Sequence, residues 1–190
     1  MPRDYKYLSP TAFQRLPAYK REEDWIRLFL HQAKVGHIAT AREGQPFLNP
    51  STFWFDEANH QIIFHSNIAG RIRSNMEGNP RVCFEASEFG KLLPSNVALE
   101  FSLRYRSVIV FGTARILTDP AEIRRVLYGL IRKYFPEMTA GREYREITDQ
   151  ELKRTSVYAI QIEDWSGKEN WQDRADQSDE WPALDEKWFE

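Results

Sequence analysis

The chain has 190 residues, of which 42% are hydrophobic and 14% aromatic, and carries a formal net charge of −2. That supplies one packed domain and excludes wholesale disorder, while the near-zero charge removes nucleic acid as a bulk partner and confines any phosphate chemistry to a local site. The single cysteine, Cys83, excludes an intramolecular disulfide and a Cys-based zinc site, and no apolar run approaches membrane-spanning length.

Residues 21–33 read as a helix, with Trp25, Leu28 and Phe29 spaced to share one face. The period then changes. Residues 35–41 read as a strand, 42–46 as a turn, and 47–55, rich in β-branched and aromatic residues, as a second strand. Residues 56–60 turn the chain into a third strand at 61–66. Three strands joined by short polar turns predict an antiparallel meander. Pro50 inside the second strand predicts an edge, a bulge or a bend, because it cannot donate to a ladder.

A short helix over 70–78 and a strand over 82–86 follow, and the mixed composition of 87–101 reads as a long hairpin or loop. Residues 105–117 form the longest clear strand, with a centre apolar on both faces. Asp119-Pro120-Ala121-Glu122 predicts a helix start, with Asp as N-cap and Pro in the first turn, and the helix should run to Tyr134 before Pro136. Thr148 and Glu151 form a capping-box pattern for another short helix. Residues 157–162 give a last strand. From 172 onward the chain is acidic and polar with isolated tryptophans, which predicts a poorly packed tail or one that folds over a neighbour.

Candidate chemistry concentrates between Phe64 and Asn79-Pro80. His65, Ser66, Asn67, Gly70, Arg71 and Arg73 place hydroxyl, amide, glycine and guanidinium groups around a strand end and a helix start. Free backbone N–H groups at a helix start and a planar Arg fork both favour an oxyanion. A plain strand-to-helix turn with a solvated basic face would use the same residues. His65 is the candidate for proton transfer by its reference pKa, although a sheet histidine is more often simply hydrogen-bonded. His31, His37 and His60 lack ligand spacing, so no protein-built metal site is expected, and Cys83 reads as a small hydrophobe in mid-strand.

These pieces together resemble the pyridoxamine 5′-phosphate oxidase-like flavoproteins, with an FMN-binding antiparallel split β-barrel flanked by helices, and within them the nitroimidazole-resistance branch. Gly36-His37-Ile38-Ala39-Thr40 is similar to the family's first strand and 46–55 to its second. Phe64-His65-Ser66-Asn67, Gly70-Arg71 and Asn79-Pro80 resemble the oxidases' Tyr-Thr-Asn, Ser-Arg-Lys and Asn-Pro series, and Tyr105 to Gly112 resembles the branch's long strand. The likeness covers about 21–171, so it implies one FMN-binding domain over 1–171 with an N-terminal helix, followed by an acidic tail over 172–190.

The start, Met1-Pro2-Arg3-Asp4-Tyr5, reads as lacking an apolar leader, so a cytoplasmic protein is expected, and the resemblance also implies FMN at a homodimer interface. Arg71 would hold the phosphate, with His65, Ser66 and Gly70 beside it. Asn49, Pro50, Ser51, Thr52 and Phe53 would run along the isoalloxazine. Arg106 and Ser107 would approach from the long strand, and Lys168 and Trp171 would close over the partner's flavin. Ile72 stands where the oxidases carry lysine, with Arg73 as the candidate substitute, and the residues that bind a substrate phosphate in the true oxidases have no counterpart. The implied activity is an FMN-dependent oxidoreductase acting on a small molecule, with a nicotinamide donor or the substrate supplying electrons. The alternatives are flavin or haem binding without turnover, or an interaction scaffold.

Overall fold

A computed structural model describes residues 7–9, 11 and 17–189. The extreme N-terminus, read above as lacking an apolar leader, lies outside the described residues. No helix among the described residues is long and apolar enough to cross a membrane.

Among the described residues, eight strands and four α-helices make up the fold. The strands are β1 (Lys20–Arg21), β2 (Gly36–Arg42), β3 (Gln45–Ser51), β4 (Trp54–Asp56), β5 (Gln61–Asn67), β6 (Arg81–Leu93), β7 (Ser102–Ile116) and β8 (Thr155–Asn170). The helices are α1 (Glu23–Gln32), α2 (Arg71–Gly78), α3 (Pro120–Tyr134) and α4 (Asp149–Leu152). All strand pairs are antiparallel, in the order β3-β2-β6-β7-β8-β5-β4. The two ends of that path, β3 and β4, are consecutive in the chain and are not paired with each other. The sheet therefore curls into an antiparallel barrel that is split between β3 and β4.

That split corrects the meander. The expected second strand breaks at Thr52–Phe53, so β3 pairs with β2 while β4 pairs with β5. Pro46 and Pro50 sit on β3, an end strand, where a missing N–H leaves no ladder bond unmade. The hydroxyl of Tyr134, at the end of α3, takes over at the break. It accepts from the Phe53 N–H at 2.9 Å and stands 2.6 Å from the Lys34 carbonyl and 3.0 Å from that of Phe53.

Alternating residues give the barrel two apolar layers. Inside it lie Ile38, Phe64, Phe84, Val108, Val110, Tyr158 and Ile160, closed by Ile26, Phe29 and Leu30 of α1. Outside it, Ile63, Val157 and Ala159 pack under Ile123, Val126 and Leu130 of α3. The buried stripe of α1 is thus Ile26, Phe29 and Leu30, and Leu28, expected on the inner face, is exposed. Trp25 and Leu28 lie on the same flank of that stripe: Trp25, next to Phe29, packs against the core, and Leu28, a step further round, faces solvent.

α3 starts as its sequence predicts, the Asp119 carboxylate accepting from the N–H groups of Ala121 and Glu122. Thr148 and Glu151 complete the reciprocal capping box of α4. Two strands exceed the sequence expectation. β6 continues through a bulge between Phe89 and Leu92 to Leu93 and pairs there with β7, the long hairpin of the two expected alternatives, and β8 runs on past Ile162 to Asn170. The tail buries only Ala175, yet it is bonded to its own chain. Asn96 donates to the carbonyls of Ser178 and Trp181, and the Ser95 hydroxyl donates to that of Asp176 at 2.6 Å.

Candidate functional site

The turn between β5 and α2 forms an open cradle at the start of α2. Gly70 caps α2 without a side-chain bond, and a Cβ built on it would meet nothing within 4 Å. The first N–H groups of α2 have no intrahelical partner and face that open space with the helix dipole behind them. Arg71 is exposed there. Ile72 turns inward to the barrel core, so the position where the oxidases carry lysine does not reach the cradle. Arg73 is not its substitute at rest: it donates to Ser156 Oγ at 2.9 Å and pairs with Glu77 at 2.8 Å. Ser66 Oγ lies 3.1 Å from the Tyr158 hydroxyl.

Two depressions flank this turn. One, of about 570 Å³, lies outside the barrel between the β3–β4 break, β5 and α3. Thr52 and His65 line it together with Leu130, Tyr134, Phe135 and Ile147. His65 stands at its mouth with one edge exposed, and partial loss of water still lowers the imidazole below its ordinary value, so the ring is neutral near pH 7. The Arg145–Glu151 pair closes one wall, at 2.8 and 2.9 Å. That fork, with the Thr148 N–H and hydroxyl, brings the Glu151 carboxyl down to about 2.

The other depression, of about 750 Å³, lies between α2 and the β2–β3 turn, with Arg71, Arg42 and Asn75 on its walls. Asn75 is 2% exposed; its Nδ2 donates to Thr40 Oγ1 at 2.9 Å, and its Oδ1 has no partner among the described residues. Neither Asn75 nor Arg42, which falls in the turn expected over 42–46, is among the sequence candidates. The available signal was that Asn75 follows Arg71 by four positions, which places the two on one face of a helix.

Asn49, Pro50 and Ser51 on β3 join the two depressions, since the strand runs from the second toward Thr52 and Phe53 at the first. The remaining candidates are elsewhere. Arg106 holds Glu88 through Nε at 2.7 Å and lies 4.9 Å from the Trp171 ring centre. Ser107 is opposite Lys168, whose ammonium is 4.9 Å from the Tyr105 ring centre. Lys168 is about twelve residues along β8 from Ser156, on the order of 40 Å of strand contour. One chain therefore brings His65, Ser66, Gly70 and Arg71 to the β5–α2 turn, with Asn49 to Phe53 along β3, and places Arg106, Ser107, Lys168 and Trp171 far from that turn along β7 and β8, where the register through β2 and β6 sets Val108 level with Ser51. Cys83 is half-buried, with its thiol raised by burial and by Glu85. No group of three or more potential ligand side chains that could hold a metal occurs among the described residues.

An eight-stranded antiparallel sheet rolled into a split barrel, with helices on its flanks, defines the class of protein. The sequence model of the pyridoxamine 5′-phosphate oxidase family matches residues 22–169, and the chain belongs to that family. Similar folds occur in the flavocytochrome Anf3 of Azotobacter vinelandii, at 23% identity over 90% of this chain and 77% of that one, with a TM-score of 0.78. The FAD and heme binding protein of Mycobacterium smegmatis is 24% identical over 84% of this chain and 76% of its own, with a TM-score of 0.74. A candidate 5-nitroimidazole antibiotic resistance protein of Bacteroides thetaiotaomicron is 21% identical over 78% and 84%, with a TM-score of 0.66. No match is found among curated proteins.

Proposed function

We propose that this chain is a flavin-binding oxidoreductase acting on a small molecule, holding the ribityl phosphate of the flavin at the β5–α2 turn; FMN is the smallest flavin that carries this phosphate. The observation that carries the reading is the cradle itself: Arg71 and the uncapped start of α2 face open space beside Gly70, at the split of a barrel whose family and similar structures include proteins named for flavin binding. The flavin would supply the redox chemistry. Arg71 and the α2 N–H groups would fix its phosphate, Asn49 to Phe53 would offer backbone groups to its ring along the β3 edge, and the wall of Leu130, Phe135 and Ile147 would exclude water beside it. Neutral His65 at the cavity mouth is placed to accept or hold a proton through its ring nitrogens.

A homodimer completes the site in this reading. Arg106, Ser107, Lys168 and Trp171 cannot share a ligand with Arg71 of the same chain, and a second copy would deliver them. Ile109 and Phe111 face away from the barrel core on β7 and are only partly covered, which leaves an apolar outer surface for such contact.

Titration of the flavin-free protein with FMN tests the cradle. Arg71→Ala should weaken binding about tenfold or more, since a charge-assisted contact contributes roughly 1.5–3 kcal/mol; equal affinities would move the phosphate elsewhere. A second reading, haem binding, draws on the haem named in two similar structures and on the apolar cavity with a neutral imidazole at its mouth. The visible spectrum of the purified protein separates them: twin flavin bands support the first and a Soret band the second. A colourless protein indifferent to FMN sinks both.

A further inference from the structure

The cavity of about 570 Å³ outside the barrel has the volume of a small-molecule site, and its lining says what kind of molecule fits. Leu127, Leu130, Ile131, Phe135 and Ile147 give it a largely apolar wall, carried by α3 and by the segment that leads into α4. The part of the wall on α3 runs from Leu127 to Phe135, about 12 Å at 1.5 Å per residue, longer than one six-membered ring and close to the length of a substituted naphthalene. Tyr134 adds a ring whose hydroxyl is already committed to the break at Phe53. Phe135 is 57% exposed at the end of α3, a large ring left in water until another apolar surface covers it.

Charge is the second constraint. Arg145 and Glu151 are the only ionised side chains on the lining, and they hold each other in a two-point fork at 2.8 and 2.9 Å. Glu151 is further bound by the N–H and hydroxyl of Thr148. An anion reaches Arg145 only by displacing a carboxylate that then stands unpaired beside it, and a cation meets the same obstacle at Glu151. A phosphorylated substrate therefore finds no free counter-charge here. The His65 imidazole, neutral near pH 7, is the polar group left to greet a ligand, and its ring N–H needs an acceptor oxygen.

We propose that this cavity receives an uncharged bicyclic aromatic carbonyl compound as substrate, and not a phosphorylated one. The rings lie against Leu130, Phe135 and Ile147, and the carbonyl oxygen accepts from His65. Thr52, on the stretch assigned to the flavin ring, also lines the cavity, which puts substrate and cofactor side by side.

The role of this molecule as substrate rests on the flavin reading, and its binding is measurable apart from it. The probe is prodan, an uncharged dimethylamino-naphthyl ketone whose fluorescence shifts to the blue in apolar surroundings, titrated into the full chain with and without FMN. Prodan should bind in both states, naphthalene sulfonate should bind at least about tenfold more weakly, and pyridoxamine 5′-phosphate should not displace prodan. Ile147→Trp fills the cavity from a half-buried position outside the barrel core; it should weaken prodan about tenfold or more and leave FMN affinity within about twofold. His65→Phe keeps a ring and removes the N–H, and should weaken prodan about two- to tenfold, as loss of one neutral hydrogen bond does. Equal binding of prodan and the sulfonate, or unchanged prodan affinity in either variant, overturns the proposal. Displacement of prodan by FMN gives the cavity to the flavin itself, which overturns the proposal and leaves the flavin reading standing. Selective prodan binding by a chain that takes up no flavin supports the uncharged carbonyl site and overturns the flavin reading.

Discussion

Replacing Tyr134 with Phe removes one oxygen and tests whether the split of the barrel is held from outside the sheet. The ring stays, so packing against the His65 cavity is preserved. The lost hydroxyl accepts from the Phe53 N–H at 2.9 Å and donates to the carbonyl of either Lys34 or Phe53. Phe53 is fully buried and lies between strands, where no ladder partner replaces that bond. One accepted and one donated bond, each about 0.5–1.5 kcal/mol net, give a destabilisation of roughly 1–3 kcal/mol. For a chain of this length that lowers the melting temperature by about 2–4 °C per kcal/mol. Urea unfolding gives the global loss. Amide hydrogen exchange at Phe53 gives the local one, and its protection should fall more than that of Phe64 in the neighbouring strand. An unchanged urea midpoint together with unchanged Phe53 protection would refute the argument that Tyr134 secures the break.

Two further outcomes follow from the packing. Lys133 donates to the Leu30 carbonyl at 3.0 Å and lies 3.4 Å from the centre of the Phe53 ring; both favour the ammonium, but burial outweighs them and lowers the amine to about 7. Between that value and the ordinary lysine value the unfolded chain binds the extra proton, so stability rises with pH across this window and is flat below it. The slope is at most about 1.4 kcal/mol per pH unit and is reduced by the solvent still reaching the amine. Lys133→Met should abolish that slope, seen as urea midpoints compared at pH 6 and pH 9; parallel pH profiles for the two proteins would count against it. Gly112 lies opposite the bulge at Glu163 of β8, where an added Cβ would stand 2.1 Å from the Gln161 carbonyl oxygen, a backbone atom that cannot rotate away. Gly112→Ala should therefore cost about 1–3 kcal/mol or more in chemical denaturation, and a neutral result would mean the bulge is free to shift.

Much of the architecture is legible in local chemistry. Asp119-Pro120 and the Thr148–Glu151 box specify helix starts because capping bonds close within three residues. The β5–α2 turn is legible for the same reason, since strand end, glycine and arginine are contiguous. Alternation marks β2 and β5 but misses the reach of β8, whose second half carries Ser166, Gly167 and Lys168. Gly167 is required there by Ile26 of α1, 2.7 Å from where its Cβ would stand. The break at Thr52–Phe53 is invisible locally because residues 47–55 have strand composition throughout. It exists because β2 and β5, the two partners, lie on opposite sides of the split.

By itself the sequence determined most of the strands and helices, the position of the β5–α2 turn and the family likeness, all of which depend on contacts within a few residues. Tertiary structure alone decided which stripe of α1 is buried and that Arg42 and Asn75 face one cleft with Arg71. It also set Arg106, Ser107, Lys168 and Trp171 apart from that site. These are outcomes of barrel closure, which brings together residues separated by tens of positions and commits each alternating face to one side. A pattern of period two records that a strand has two faces; only the closed sheet determines what each face meets.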